Sequence, residues 1–555
     1  MTILSICQYI LSKLIFHISS GNLHPLLLVT SNVILTKENS AHLRSILWLC
    51  ALFAIIKLAV HIIGNILAQR AGYGIFRDEF YYLVCGRHLA FGYVDQPPLA
   101  ALMARTTDIL FGYQHQWTLR LFPALSGAAK VFLTGLIAWA LGAGRRAAAL
   151  AMLGVLIVGV YLGIDGFLSM NCLDPVFWMT CTLALILLAQ TESPIVIRNA
   201  WIILGISAGL GLENKDSLVF FLICMLAALL LTPQRRVLKS KWFAVSVLLM
   251  VLLALPNLLW QIHYHFPTLE WLRDVAHSDK DVKLSLQAFL MAQVIMLNPF
   301  TLLLWVSGVI WLLFQRNFRF LGIAYLIFLV WMIAMHAKDY YLAPIYPVYF
   351  AAGAAAWFQW ARNVKWRNAL IALYALLLLW GGSIGLPMAI PVLPPKQFVT
   401  YEKKMGFAPK DSENHAPTIL PQFYADRFGW TDLVAQVKTI YDNLPPEEQA
   451  VTGILASNYG QASAINILGA EVGLPHAISG HQNYWIWGPQ EYTGQEMIVI
   501  NEEPLAEMQQ AHASCKVAAT RTNPLAMPWE RGPIYLCYGR KKPYAADWND
   551  FKFYY

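Results

Sequence analysis

The chain has 555 residues, 58% of them hydrophobic and 13% charged, with a mean hydropathy of +0.50 and a formal net charge of +8. An ordinary soluble protein carries about 25% charged residues, so this composition excludes one and requires much of the surface to lie in lipid. The basic excess does not point to nucleic acid, because it is dispersed over short loops between apolar runs.

Residues 1–43 include an apolar stretch, Met1 to Ser20, with no basic region before it and no clear small-residue cleavage site, which argues against a signal peptide. An interfacial helix and a dispensable upstream start are both open readings. Runs near the ~20 residues that span a bilayer follow at 45–68, 117–141, 147–164, 174–189, 199–213, 216–231, 242–261, 285–314, 320–336, 341–360 and 367–386, eleven in all. The shortest, 199–213 and 216–231, need tilt or less apolar ends to cross.

Basic residues gather in alternate loops: Arg145 and Arg146; Arg198; Arg235, Arg236, Lys239 and Lys241; Arg316 and Arg319; Arg362, Lys365 and Arg367. The positive-inside rule makes these loops cytoplasmic, and eleven crossings then put residues 387–555 outside. Of fifteen Asp and Glu residues in 1–386, thirteen fall in or beside the outward loops. Any chemistry is expected on that face.

The first outward loop holds Gly74-Ile-Phe-Arg-Asp-Glu-Phe-Tyr-Tyr82 and Gly92-Tyr-Val-Asp-Gln-Pro-Pro-Leu99. Carboxylates at a membrane mouth are costly to desolvate, so Asp78, Glu79 and Asp95 are expected in a water-lined cleft. Neighbours on a helix point about 100° apart, so one of Asp78 and Glu79 faces the cleft and the other supports it. Arg120, in Thr118-Leu-Arg-Leu-Phe-Pro123, suits a phosphate clamp or snorkels to the interface. Lys130 is expected to pair with a polar group between helices. Asp174 precedes Pro175 and reads as a helix N-cap or as a site acid. Lys215 sits in a polar hinge. Lys338, Tyr340 and Tyr341, in His336-Ala-Lys-Asp-Tyr-Tyr-Leu-Ala-Pro-Ile-Tyr-Pro347, read as a phosphate site or as an interfacial belt.

Past the prolines at 387, 391, 394 and 395, Ala450-Val-Thr-Gly-Ile-Leu-Ala456, Glu496-Met-Ile-Val-Ile-Asn501 and Ile534-Tyr-Leu-Cys537 read as strands, and 460–469 as a helix. Ser479 to Pro489 is aromatic, a sugar-stacking loop or a packed one. Cys515 and Cys537 have even claims to being paired or free. His263, His265 and His277 lack the spacing of a metal site.

The motifs at 74–99, 118–123 and 336–347 resemble membrane glycosyltransferases of the GT-C type that use lipid-phosphate sugars, the protein O-mannosyltransferase and aminoarabinose-transferase kind (glycosyltransferase family 39-like, bacterial). The resemblance implies a polytopic all-α membrane domain of about eleven spans, 44–386, with an extracytoplasmic α/β domain, 387–555. It also implies transfer with inversion from a polyprenyl-phosphate donor to lipid A, protein or another envelope acceptor, outside a bacterial plasma membrane. Asp78 would be the base, with Glu79 and Asp174 as the other catalytic acids. Asp95, Tyr82, Tyr93, Arg120, Lys215, Lys338, Tyr340 and Tyr341 would bind substrate. No cofactor is required; a divalent metal is compatible with the resemblance but not indicated by it. Gln96 departs from the aminoarabinose-transferase pattern, which commonly has Lys there. A transporter or flippase of a lipid-linked sugar is the competing reading, but would show paired half-repeats and broken central helices.

Overall fold

All eleven apolar runs are helical in the computed structural model, which describes residues 37–278, 283–406 and 418–555. Most of the N-terminal extension lies outside the described residues; the first helix, Lys37–Arg70, begins before the expected 45. Length separates the runs. Among the described residues six helices can cross a bilayer by length and composition: Leu43–Arg70, Leu121–Ala140, Met170–Gln190, Pro194–Leu212, Lys241–His263 and Arg367–Ala389. The last continues through Pro387, where the sequence suggested a stop.

Two further runs are bent, by 112° between Leu218–Leu230 and Pro233–Lys239 and by 98° between Leu286–Met296 and Pro299–Phe314, giving up to eight spans. Length and composition thus single out six to eight of the eleven expected crossings among the described residues. The run at 285–314 breaks where Asn298 takes a positive φ of 67° ahead of Pro299. Its side chain holds the break, donating to the Leu378 carbonyl at 3.1 Å and accepting from the Phe300 N–H at 3.3 Å. The run at 147–164 divides at Val158 into Arg145–Ile157 and Gly159–Ile164. Arg319–Ala334 and Tyr346–Trp360 have 16 and 15 residues, short of the ~20 that span.

Short helices stay in the protein interior by close packing. A Cβ on Gly308 would meet the Tyr349 carbonyl at 2.1 Å, and one on Gly353 the Leu304 carbonyl at 1.8 Å, so these helices cross where only glycine fits. In contrast, Ile55, Ile63, Leu248, Leu252 and Leu376 are exposed, as expected of side chains that face lipid.

The C-terminal domain carries a mixed five-stranded sheet of β1 (Thr452–Ala456), β2 (Ala477–Ile478), β3 (Glu496–Ile500), β4 (His512–Arg521) and β5 (Gly532–Arg540), in the order β2-β1-β3-β5-β4. β1 runs parallel to β2 and β3; β5 is antiparallel to β3 and β4. Cys515 and Cys537 stand opposite each other on β4 and β5 and are bridged. The domain does not merely follow a linker. One hydrophobic core runs from Phe80, Tyr82, Leu119 and Leu168 into Leu433, Ile454, Ile465 and Ile498, joining the first interhelical loop to the sheet.

Candidate active site

The Arg77–Arg87 helix organises the site. Glu79 in its first turn reaches back to the Phe76 N–H at 2.9 Å, satisfying a donor that the helix start leaves open. The two adjacent acids then part. Glu79 points inward, fully buried, and receives both Nε and Nη2 of Arg120 at 2.8 Å and the Leu168 N–H at 2.8 Å. Burial pushes its carboxyl up, but the Arg120 charge and these hydrogen bonds outweigh it and hold it below the usual range. Arg120 is equally engaged: its Nη1 donates to Asn65 at 3.1 Å and Gln116 at 2.6 Å. Arg120, expected as a phosphate clamp, and Glu79, expected as a catalytic acid, are here each other's partners. The pair locks the helix against the spans beneath it.

Asp78 points the other way. Its side chain is 30% exposed, lies 3.5 Å from Arg77 Nε, and accepts a hydrogen bond from Tyr459 Oη of the C-terminal domain at 2.7 Å. Asp95 is half-buried and accepts from Tyr81 Oη at 3.1 Å. Tyr82 lies between them: burial first, then the Asp78 and Asp95 carboxylates, push its phenol well above the usual range. It is therefore a hydrogen-bond donor. The hydroxyl of Tyr93, expected as a substrate-binding residue, donates to the Cys85 carbonyl at 2.8 Å and accepts from the Ala90 N–H at 3.2 Å, closing the helix end.

A cationic wall faces these acids. Lys215 Nζ donates to Asn171 Oδ1 at 2.8 Å, lies 3.9 Å from Asp174, and sits over the Tyr340 and Tyr341 rings at 5.7 and 5.1 Å. Burial lowers its ammonium pKa; Asp174 and Asp216 oppose this, and the charge of Lys338 adds to it. Lys338 is half-buried directly before the short Asp339–Ile345 helix that carries both tyrosines. Asp78 contributes to the field at Tyr340, as it does at Tyr82. Through these contacts Asp78 and Asp95 are linked to Tyr82, Asp78 to Tyr340, and Lys215 to Tyr340, Tyr341 and Lys338, one electrostatic neighbourhood.

Asp174 is not an N-cap. Ser169 caps that helix, accepting from the Asn171 N–H at 3.2 Å. Asp174 sits one turn further in, buried, accepting from Trp178 Nε1 at 2.8 Å and Ser217 Oγ at 3.0 Å. It steadies Lys215 from behind.

Sequence reasoning missed the role of Tyr459 and a buried cluster on the first helix. Lys57 Nζ lies 3.4 Å and His61 Nε2 3.9 Å from the Asp165 carboxylate, and Lys130 pairs with the same group. Lys57, His61, Asn65 and Gln69 recur every fourth residue, a polar stripe on one helical face. Their spacing was the available signal. The aromatic run 479–489 is a packed loop: His481 stacks on Phe553 at 4.1 Å, and Asn483 accepts the Val94 N–H at 2.6 Å, anchoring the loop that carries Asp95. Among the described residues, His512, Cys515 and Cys537 come within metal-ligand reach of one another, and the two sulfurs are already joined.

Residues 95–260 match the family described as dolichyl-phosphate-mannose-protein mannosyltransferase. Over 179 residues the chain is 28% identical to undecaprenyl phosphate-alpha-4-amino-4-deoxy-L-arabinose arabinosyl transferase 1 of Pseudomonas fluorescens, covering 32% of this chain and 31% of that one. Over 207 residues it is 26% identical to lipid A galacturonosyltransferase RgtD of Rhizobium johnstonii, covering 36% and 41%. The chain spans less than half the length of these curated relatives. The crystal structure of ArnT from Cupriavidus metallidurans in the apo state superposes with a TM-score of 0.58 at 15% identity, over 87% of this chain and 97% of that one. The same protein bound to undecaprenyl phosphate gives 0.57 at 16%. The chain is thus a multi-pass membrane protein that shares the ArnT fold and whose residues 95–260 resemble the mannosyltransferase family.

Proposed function

We propose that this protein transfers a sugar from a polyprenyl-phosphate donor to a hydroxyl of an envelope acceptor, lipid A or a similar glycan, with inversion. The observation that carries the reading is that Asp78, part-exposed and hydrogen-bonded by Tyr459, acts electrostatically on Tyr340, the ring over which, with Tyr341, Lys215 sits. Asp78 takes the acceptor O–H proton as the acceptor oxygen attacks the anomeric carbon from the face opposite the phosphate. The C–O bond to phosphate breaks, its electron pair leaves on the phosphate oxygen, and Lys215 and Lys338 stabilise the gained charge. Phosphate leaves readily, so no general acid is needed. The names of the relatives, two of which act on undecaprenyl-phosphate or lipid A chemistry, support the donor and acceptor classes. The active face is the periplasmic side of a bacterial inner membrane.

Asp78→Asn tests this. A positioned base contributes about 10²–10⁴ in rate, so purified Asp78→Asn protein should retain donor binding and lose that factor in single-turnover transfer. Near-normal transfer by folded Asp78→Asn protein would remove the assignment. Lys338→Met should weaken donor binding while Lys338→Arg keeps most of it, because the ammonium acts as a point charge. Unchanged donor affinity in Lys338→Met would make Lys338 an interfacial anchor.

A further inference from the structure

At the far end of the Tyr346–Trp360 helix from the site, a cavity of about 610 Å³ opens between three helices. Leu303, Val306, Ile310, Trp357 and Trp360 line it, and Arg367 is the one charged residue in its wall. Fifteen residues of helix, about 22 Å, separate this mouth from Tyr340 and Lys338, so it is not part of the cleft. The turn that closes it carries Arg362, Lys365 and Arg367, and Arg146 Nη1 meets Asn368 Oδ1 at 3.2 Å, bringing Arg145 and Arg146 to the same end. Among the described residues none of these five cations forms an ion pair with an acid. Trp360 and Trp366 are 56% and 67% exposed beside them, at the level where aromatic rings meet headgroups.

We infer that this groove binds one anionic phospholipid, with an acyl chain between Val306 and Trp357 and its phosphate on the Arg362–Lys365–Arg367 turn. A neutral lipid would leave five charges uncompensated, and a soluble partner could not reach a cavity whose walls are apolar and face the bilayer. A basic pocket between helices at the membrane surface is the arrangement that holds anionic headgroups.

Delipidated full-length protein in detergent, titrated with phosphatidylglycerol or phosphatidylcholine of matched chains and read by native mass spectrometry, decides the matter. Phosphatidylglycerol should bind roughly tenfold tighter, and the Arg362→Gln, Lys365→Gln, Arg367→Gln triple variant should bring it to the phosphatidylcholine level. Val306→Phe should lose the bound lipid with every charge intact, which keeps the test decisive if the triple variant fails to insert. Equal binding of both lipids to the unmodified protein, or retention of phosphatidylglycerol by Val306→Phe, overturns the inference. So does selective retention of a polyprenyl phosphate over phosphatidylglycerol, which would make the groove a path for the donor tail.

Discussion

Asp78 and Glu79 differ by one methylene and one position, and the fold gives them opposite work. Their sequence showed that one must face inward; it did not show which, because the answer lies in Arg120, forty-one residues away. Removing one partner of a buried ion pair costs about 3–5 kcal/mol, since it strands a charge. Arg120→Met should therefore lower folded yield and thermal stability sharply, and Arg120→Met with Glu79→Gln should recover part of the loss. If Arg120→Met folds normally and only donor affinity falls, the clamp reading of the arginine returns. Lys215 allows a prediction in pH. Its ammonium titrates below the ordinary lysine range, so the charge that attracts phosphate is lost as pH rises, earlier than a free lysine would lose it. Donor affinity should decline on the alkaline side before a free lysine would titrate, and Lys215→Arg should flatten that decline. A binding isotherm series that shows no alkaline loss in the unmodified protein would count against a role for Lys215 in donor binding. The residues legible in sequence were those whose chemistry is unusual for their surroundings, acids and cations near a membrane. Their partners were not, because Tyr459 and Asn65 are ordinary residues made special only by contact.

Among the elements, hydropathy located all eleven helical runs and misjudged their shape. An apolar average does not register the Asn298–Pro299 break or the division at Val158, since both sit inside apolar sequence. Nor does it register a stripe: Lys57, His61 and Asn65 vanish in the mean of a long apolar helix, although a period of four was open to counting. The strands β1, β3 and the centre of β5 were readable as short apolar runs, whereas β4, at the sheet edge and mostly exposed, has no such run and escaped notice. The element that matters most for chemistry is the short Tyr459–Ala464 helix, which starts at the Asn458 cap and brings a phenol to Asp78. Tyr459→Phe keeps the ring that packs on Tyr81 at 4.9 Å and removes only the donor. It should leave fold and donor affinity unchanged and slow transfer roughly tenfold, as loss of one hydrogen bond to a charged group is worth about 1.5–3 kcal/mol. A tenfold slowing with unchanged donor binding assigns the C-terminal domain a part in orienting the base; no slowing makes the contact incidental.

For the molecule as a whole, orientation is set by where the cations are. The loops with Arg235, Arg236 and Lys239, and with Arg362 and Lys365, carry the basic excess, while the cleft acids and the C-terminal domain gather at the opposite ends of the same helices. Length and composition single out six to eight of the described runs as full spans, but the sidedness argument does not depend on that count. It depends on each short basic loop lying on one side, and on Asp78 and Tyr459 sharing a face because they share a hydrogen bond. The C-terminal domain cannot be on one side of the membrane and the acidic cleft on the other. Single cysteines in a cysteine-free background test this with an impermeant thiol reagent on intact spheroplasts. Glu491→Cys and Lys541→Cys, both exposed in the C-terminal domain, should label from outside. Arg236→Cys and Lys365→Cys should label only after the membrane is opened. Labelling at 236 with protection at 541 inverts the orientation and moves the reaction to the cytoplasmic face. Labelling from outside at both 541 and 365 would place both ends of the Arg367–Ala389 helix on one side, and that helix would then not cross at all.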